Sequence, residues 1–334
     1  MRKIRLGHIG VLHDHSSAKL QCVRKYPDIF EVVGVVAETK ELEEKCKNQP
    51  AYRGIPFMSE EELFAVPGLD AVLVEGYELN LLNIAKRCVD RGIHIHLDKP
   101  AGNDLELFRS ILDEAAEKNL VIQLAYMYRY NTAIQHCLKM YKNGQIGKLT
   151  GIDTAMCTHH SKEKIKWLEN FKGGTMFFIG CHMVDLIYMF AGKPKNIVRF
   201  NQKTHLNGND AEDTCLAVFE YDDFSATIRM NSTEVNGFGR RQFVLCGEEA
   251  TVEIRPLEGP TMMRVSTREM CEKTTYQDKY MNVPPAVMAG RYDSMMMDFA
   301  RMVTEGKENP FSFEYEYELQ KLVLYTCGYD VDWK

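Results

Sequence analysis

This 334-residue chain has no C-x-x-C pair, no internal repeat, no low-complexity tract and no apolar run approaching the length of a membrane span. Each absence excludes a class. Without about 20 consecutive apolar residues, no transmembrane helix is expected. Ten cysteines scattered from Cys22 to Cys327 suggest reduced, packed thiols of a cytoplasm rather than a disulfide framework. No basic start leads into an apolar core and a small-residue cleavage site, so no secretory signal is expected. Positive charge is short as well. The 41 Lys and Arg stand against 47 Asp and Glu, for a net charge of −6, which argues against nucleic acid as the main partner.

What is present is a globular composition, 45% hydrophobic and 26% charged, in a chain long enough for two domains with separate cores. Up to residue 125, short apolar runs alternate with amphipathic segments. "KIRLGHIG", "FEVVGVVA", "LDAVLVE", "IHIHL" and "LVIQLAY" read as strands, apolar almost throughout, as strands buried on both faces should be. Between them lie helix-like stretches with usable caps, such as Ser59 before Glu62. This alternation predicts an α/β unit over 1–125 with a doubly wound parallel sheet, whose ligands bind beyond the carboxyl ends of the strands.

Residues 126–334 change character. After a helix-like "NTAIQHCLKMYKNG" come "KLTGIDTAMC", "NIVRFNQK", "DTCLAVFEY", "FSATIRMN", "RQFVLCG" and "ATVEIR", with Gly, Asp and Asn at the turns. They predict an α+β domain with a large, mainly antiparallel sheet. One helix is expected around Thr175–Phe190, and two more near Asp293–Thr304 and Glu314–Thr326. The cluster Met295-Met296-Met297 reads as core filling on a helix.

Chemistry is sought just after each parallel strand. The first run ends in "HIGVLHDH", three histidines and an aspartate within eight residues. His13-Asp14-His15 resembles the H-x-H of a metal hydrolase, and His94 and His96 also end a strand. A barrel of that type needs eight α/β units, which this chain lacks, so no metal is expected. As a dinucleotide loop, G-x-G-x-x-G starts at Gly10 and places Leu12 and His15 at the later glycine positions. Glu38 ends the second run, where a carboxylate accepts from both ribose hydroxyls and favours NAD over NADP. Glu75 and Gly76 end the third run, with Asn80 just beyond. Asp98-Lys99-Pro100 ends the fourth. The expected cofactor-binding set is Gly10, Leu12, His13, Asp14, Glu38, Glu75, Gly76, Asn80, Asp98 and Lys99.

Lys99, held extended by Pro100, can donate to a substrate oxygen or simply be a solvated strand end. Further on, Gly173-Gly174 precede an apolar segment carrying His182 and Asp185 three residues apart on one face. Such groups are either a hydrogen-bonded core pair or the lining of a cavity. Arg129 follows the last parallel strand, and "THHSKEKIKWLENF" reads as a loop whose His160, Lys166 and Trp167 can meet hydroxyls and stack on a sugar face.

Taken in order, Gly10, Glu38, Asp98-Lys99-Pro100, "YRYN" at 128–131, "GQIGKL" at 144–149, "GGTMFFIGCH" and the closing "DFARMVTEGKENPFSFEYEYELQKLV" resemble the glucose–fructose oxidoreductase, inositol dehydrogenase and MocA family. The resemblance spans nearly the whole chain. It implies a Rossmann domain, a C-terminal sheet domain, a dimer or tetramer, and hydride transfer between a nicotinamide cofactor and a hydroxyl carbon of a sugar, cyclitol or related polyol. Lys99 would hold the reacting oxygen and His182 would act as acid or base. Asp185, Arg129, His160, Lys166 and Trp167 would meet substrate. The family's aspartate four residues before the histidine is Phe178 here, which leaves Asp185 to orient His182. That departure keeps open a relative that cleaves or isomerises glycosides by transient oxidation, and a non-catalytic sensor. On this reading "HIGVLHDH" is a divergent cofactor loop, with His13 and Asp14 facing the cleft.

Overall fold

Five short aliphatic runs supply the parallel strands β1 (Ile4–Ile9), β2 (Phe30–Val36), β3 (Ala71–Val74), β4 (His94–Leu97) and β5 (Ile122–Leu124), in the order β2-β1-β3-β4-β5. The structure, a computed structural model, describes residues 2–259, 261–272, 276–287 and 290–334. β3 is buried at every position, as a central strand covered on both faces must be. Helices Ser16–Arg24, Leu81–Asp90 and Leu105–Glu117 form crossovers, and the capping box at Ser59 and Glu62 opens the short helix Glu60–Phe64.

The chain divides into two units, Met1–Met127 with Ala289–Gln320, and Tyr128–Met288 with Lys321–Lys334. The division differs from the one expected at 125/126 in its return segment. The helix Asp293–Glu305 buries Met295, Met296 and Phe299 within the first unit. Its Met295 carbonyl accepts from Gln123 Nε2 at 3.2 Å, and Asp293 accepts from Cys22 Sγ at 2.9 Å. Sequence distance hides this return, because the apolar stripe of a late helix does not say which sheet it covers.

In the second unit β6 (Leu149–Cys157), β7 (Asn196–Gln202), β8 (Thr214–Glu220), β9 (Ser225–Asn231), β10 (Gln242–Gly247), β11 (Ala250–Ile254), β12 (Met263–Thr267) and β13 (Met281–Asn282) form an eight-stranded sheet ordered β13-β12-β11-β10-β6-β9-β8-β7. Its pairings are antiparallel except β6 with β9. The hairpins β8–β9 and β10–β11 fall where the turn residues placed them. The expected helix at 175–190 is two pieces, a π-helical turn Met176–Gly180 running into the α-helix Cys181–Ala191. The second piece packs its apolar residues on β6 and β9.

Candidate functional site

In a 2-1-3-4-5 sheet the strand order reverses between β1 and β3, so the loops after these strands part and leave a crevice. Gly10 lies there with φ +98°, and a Cβ on it would come within 2.3 Å of the Gly76 nitrogen. Only glycine allows the two strand ends to approach this closely. Glu38, exposed at the end of β2, accepts from Val11 N at 3.0 Å and from Leu12 N at 3.3 Å. Leu12 and Asp14 are exposed, as is Asn80 at the start of the helix after β3. His15 opens the helix Ser16–Arg24, whose first turn carries no acidic side chain. A tight glycine turn, an acid at the β2 edge and a first helical turn with no acidic residue fit a dinucleotide, although exposed Asp14 stands just before the N-cap. Leu12 departs from the glycine pattern, but its side chain points to solvent instead of filling the turn.

Beneath the loop lies a dense buried polar cluster within the first unit. Lys19 Nζ donates to Glu75 Oε1 at 2.8 Å and to Asp98 Oδ2 at 2.7 Å, with all three side chains fully buried. His13 Nδ1 lies 3.0 Å from Asp98 Oδ2, and its Nε2 lies 3.5 Å from Glu78 Oε1. His15 Nδ1 stands 3.3 Å from both Asp98 oxygens. The Lys99 amide donates to Asp98 Oδ1 at 2.7 Å, and Lys99 itself is buried. The liganding atoms of His13, His15 and Asp98 lie within 4.8 Å of one another.

Burial works to raise the Asp98 carboxyl, yet His13, Lys19 and His15 around it outweigh that and hold it well below its usual value. Glu75 moves the other way, driven up by burial and by Asp98 beside it despite Lys19. Burial would lower Lys19, but Asp98 and Glu75 keep it raised. Burial also drives His15 well below its usual value. Glu75 is thus a buried partner of Lys19 rather than a ligand-facing group, a correction to its expected place. His13 likewise faces inward. Lys19 and Glu78 were missed, although a lysine sharing the apolar face of Ser16, Leu20 and Val23 is a readable sign of a buried partner.

In the second unit His182 is buried and meets the Tyr128 ring edge-on, with centroids 4.9 Å apart at 88°. The Tyr128 hydroxyl donates to Glu258, which also pairs with Arg241. Asp185 takes a bidentate grip from Arg129, with Nη2 2.7 Å from Oδ1 and Nε 3.1 Å from Oδ2, and both residues are buried. Their charges meet each other.

Phe178, at the position of the missing aspartate, sits in the π-helical turn against Trp167, 4.9 Å between centroids, and near His160, 6.4 Å. The segment read as a loop is the helix Lys162–Leu168, started by Ser161, whose Oγ accepts from Lys164 N. Lys164 Nζ covers the Trp167 ring at 3.4 Å, and Lys166 pairs with Glu169 at 2.6 Å while largely exposed. The helix escaped detection because its seven residues carry too short an apolar stripe.

The first unit has the architecture of a dinucleotide-binding domain. Residues 4–126 match the oxidoreductase family described as NAD-binding Rossmann fold, and residues 134–253 match the GFO/IDH/MocA C-terminal domain. The chain belongs to the GFO/IDH/MocA family. Among curated relatives, D-xylose 1-dehydrogenase (NADP(+)) 2 of Haloferax volcanii is 23% identical over 54% of this chain and 55% of its own length. UDP-N-acetylglucosamine 3-dehydrogenase of Acidithiobacillus ferrooxidans is 25% identical over 40% of this chain and 38% of its own. The chain therefore spans about half the length of the curated relatives it matches, or less. The solved structure of the Acidithiobacillus enzyme superposes with a TM-score of 0.78 at 17% identity, over 98% of this chain and 97% of that one. An oxidoreductase from Thermotoga maritima gives 0.77 at 19%, over 98% and 96%. At these identities the likeness is one of fold. Among the described residues no helix is long and apolar enough to cross a membrane.

Proposed function

We propose that this chain is a dehydrogenase that transfers a hydride between a nicotinamide cofactor, NAD in preference to NADP, and a hydroxyl carbon of a sugar, cyclitol or related polyol. The observation that carries the reading is the Gly10–Gly76 turn with Glu38 over the Val11 and Leu12 amides. A carboxylate at this strand end accepts from a ribose diol and repels a 2′-phosphate, which supports NAD. The Haloferax relative is named for NADP(+), so the NAD preference proposed here rests on Glu38 of this chain.

When bound, the cofactor supplies the hydride acceptor or donor. Lys99 donates a hydrogen bond to the reacting oxygen, and its position directly after Asp98 fixes its backbone. His182 takes the hydroxyl proton on oxidation and returns it on reduction. Tyr128, held by Glu258, keeps the imidazole oriented. Val198, Phe200 and Leu216 are exposed on the paired strands β7 and β8, which supports self-association as a dimer or tetramer. All ten cysteines are free thiols, in keeping with a cytoplasmic setting.

The test is titration of the protein with NADH and NADPH by nicotinamide fluorescence, followed by a polyol and sugar screen for NADH production. NADH should bind at least about tenfold tighter, and Glu38→Gln should abolish the preference, a change of about 1.4 kcal/mol. Absence of binding by either cofactor would overturn the reading.

A further inference from the structure

The proposed reaction leaves unexplained why one buried carboxylate is shared by two histidines of the same loop. Asp98 Oδ2 lies 3.0 Å from His13 Nδ1 and 3.3 Å from His15 Nδ1, on strands and loops 83 residues apart in sequence. We propose that His13, His15 and Asp98 form a site for a divalent cation of the zinc class, which clamps the loop after β1 to the residue preceding Lys99.

The geometry carries this. A tetrahedral ion with bonds of about 2.0–2.1 Å separates its ligand atoms by roughly 3.3 Å. The His15–Asp98 distance, 3.3 Å, matches that figure, and the His13–Asp98 distance, 3.0 Å, is a few tenths shorter. The liganding atoms of all three residues lie inside 4.8 Å. Two imidazoles and a carboxylate are the donor set that borderline divalent ions prefer over calcium or magnesium. The surroundings have the form of an outer shell. The far nitrogen of His13 lies 3.5 Å from Glu78 Oε1, on the side where a carboxylate would set a ligand's tautomer. Lys19 Nζ donates to the same Asp98 oxygen, Oδ2, and the Lys99 amide donates to Oδ1.

Three carboxyl groups, Glu75, Glu78 and Asp98, and the side chains of Lys19 and Lys99 are buried at this edge of the first unit. His13 and Asp98 are fully buried while His15 retains 13% of its side-chain exposure, so an ion enters, and a fourth ligand such as water coordinates, from the His15 side. The competing arrangement is two Nδ1–H groups donating to Asp98 with no metal.

The experiment is Co(II) and Zn(II) titration of the full-length, chelator-stripped protein, followed by visible d–d absorption for cobalt and by metal content after gel filtration for zinc. One ion per chain, bound at micromolar concentration or tighter with a tetrahedral cobalt spectrum, supports the site. His13→Ala and His15→Ala should each weaken binding about 10–100-fold. His205→Ala, at the exposed pair with Asp210, should leave it unchanged. Should either variant fail to fold, anomalous scattering at the zinc edge from crystals of the unaltered protein locates the ion. Weaker than about 100 μM binding, binding indifferent to His13 and His15, or an ion located elsewhere overturns the proposal. NADH titration in the presence of chelator reads the cofactor proposal separately, so the two can fail independently.

Discussion

Asp98 and Asp185 are both fully buried aspartates, yet they are satisfied in opposite ways. Asp185 meets the Arg129 guanidinium through two parallel bonds in the second unit, Nη2 to Oδ1 and Nε to Oδ2. Asp98 is divided among His13, His15, Lys19 and the Lys99 amide in the first. A buried bidentate pair matches one charge with one opposite charge, and removing either partner leaves the other uncompensated. A carboxylate shared among donors from several elements ties those elements together, and its cationic neighbours hold it ionised. The difference teaches that burial of a charge is not by itself a sign of function. The number and kind of its partners separate structural from chemical roles.

The largest expected effect tests the closed pair. Asp185→Ala should cost about 3–5 kcal/mol of stability by chemical denaturation, because it strands a buried guanidinium. Replacing Arg129 and Asp185 together with apolar residues should recover most of that loss. Equal losses from the single and double variants would break the comparison. Next, Lys99→Ala or His182→Ala should lower kcat/KM for the substrate found in the screen by about a hundred- to ten-thousandfold, with a far smaller change in denaturation midpoint. Loss of fold without separate loss of turnover would return both to structural roles.

A third prediction concerns pH. Burial pushes the imidazoles of His8 and His96 down to about 3 from the usual 6.5. The unfolded chain binds protons that the folded chain refuses, so this stability is complete above pH 6.5 and is lost as pH falls toward 3. At pH 5 each imidazole accounts for about 2 kcal/mol. The acid limb should flatten in the His8→Asn, His96→Asn double variant, and an unchanged limb would refute the assignment. The smallest effect is that of Lys166→Ala, which removes an exposed pair with Glu169 and should shift stability by less than about 0.5 kcal/mol. A large loss of turnover in that variant would restore it to the substrate site.

The strands of the first unit and six of the eight in the second were legible because burial on one or both faces imposes a simple apolar pattern. β12 and β13 were not, since β12 is interrupted by polar residues and β13 is two residues long. The π-helical turn was hidden because an apolar helix gives the same pattern whether its bonds close over four or five residues. Of the candidate site, Gly10, Glu38, Asp98 and Lys99 were placed by their position at strand ends. Lys19, Glu78, Tyr128, Arg241 and Glu258 were not, because their partners are distant in sequence.

By itself, then, the sequence determined the α/β and α+β halves, the divergent glycine loop after the first strand and the family. Those features depend on local pattern and spacing, which a chain carries before it folds. Only the tertiary structure decided that Arg129 and Asp185 spend their charges on each other, that the helix Asp293–Glu305 returns to the first unit, and that His13 and His15 converge on Asp98. Each is a choice among partners of similar chemistry, and packing alone brings one of them within reach.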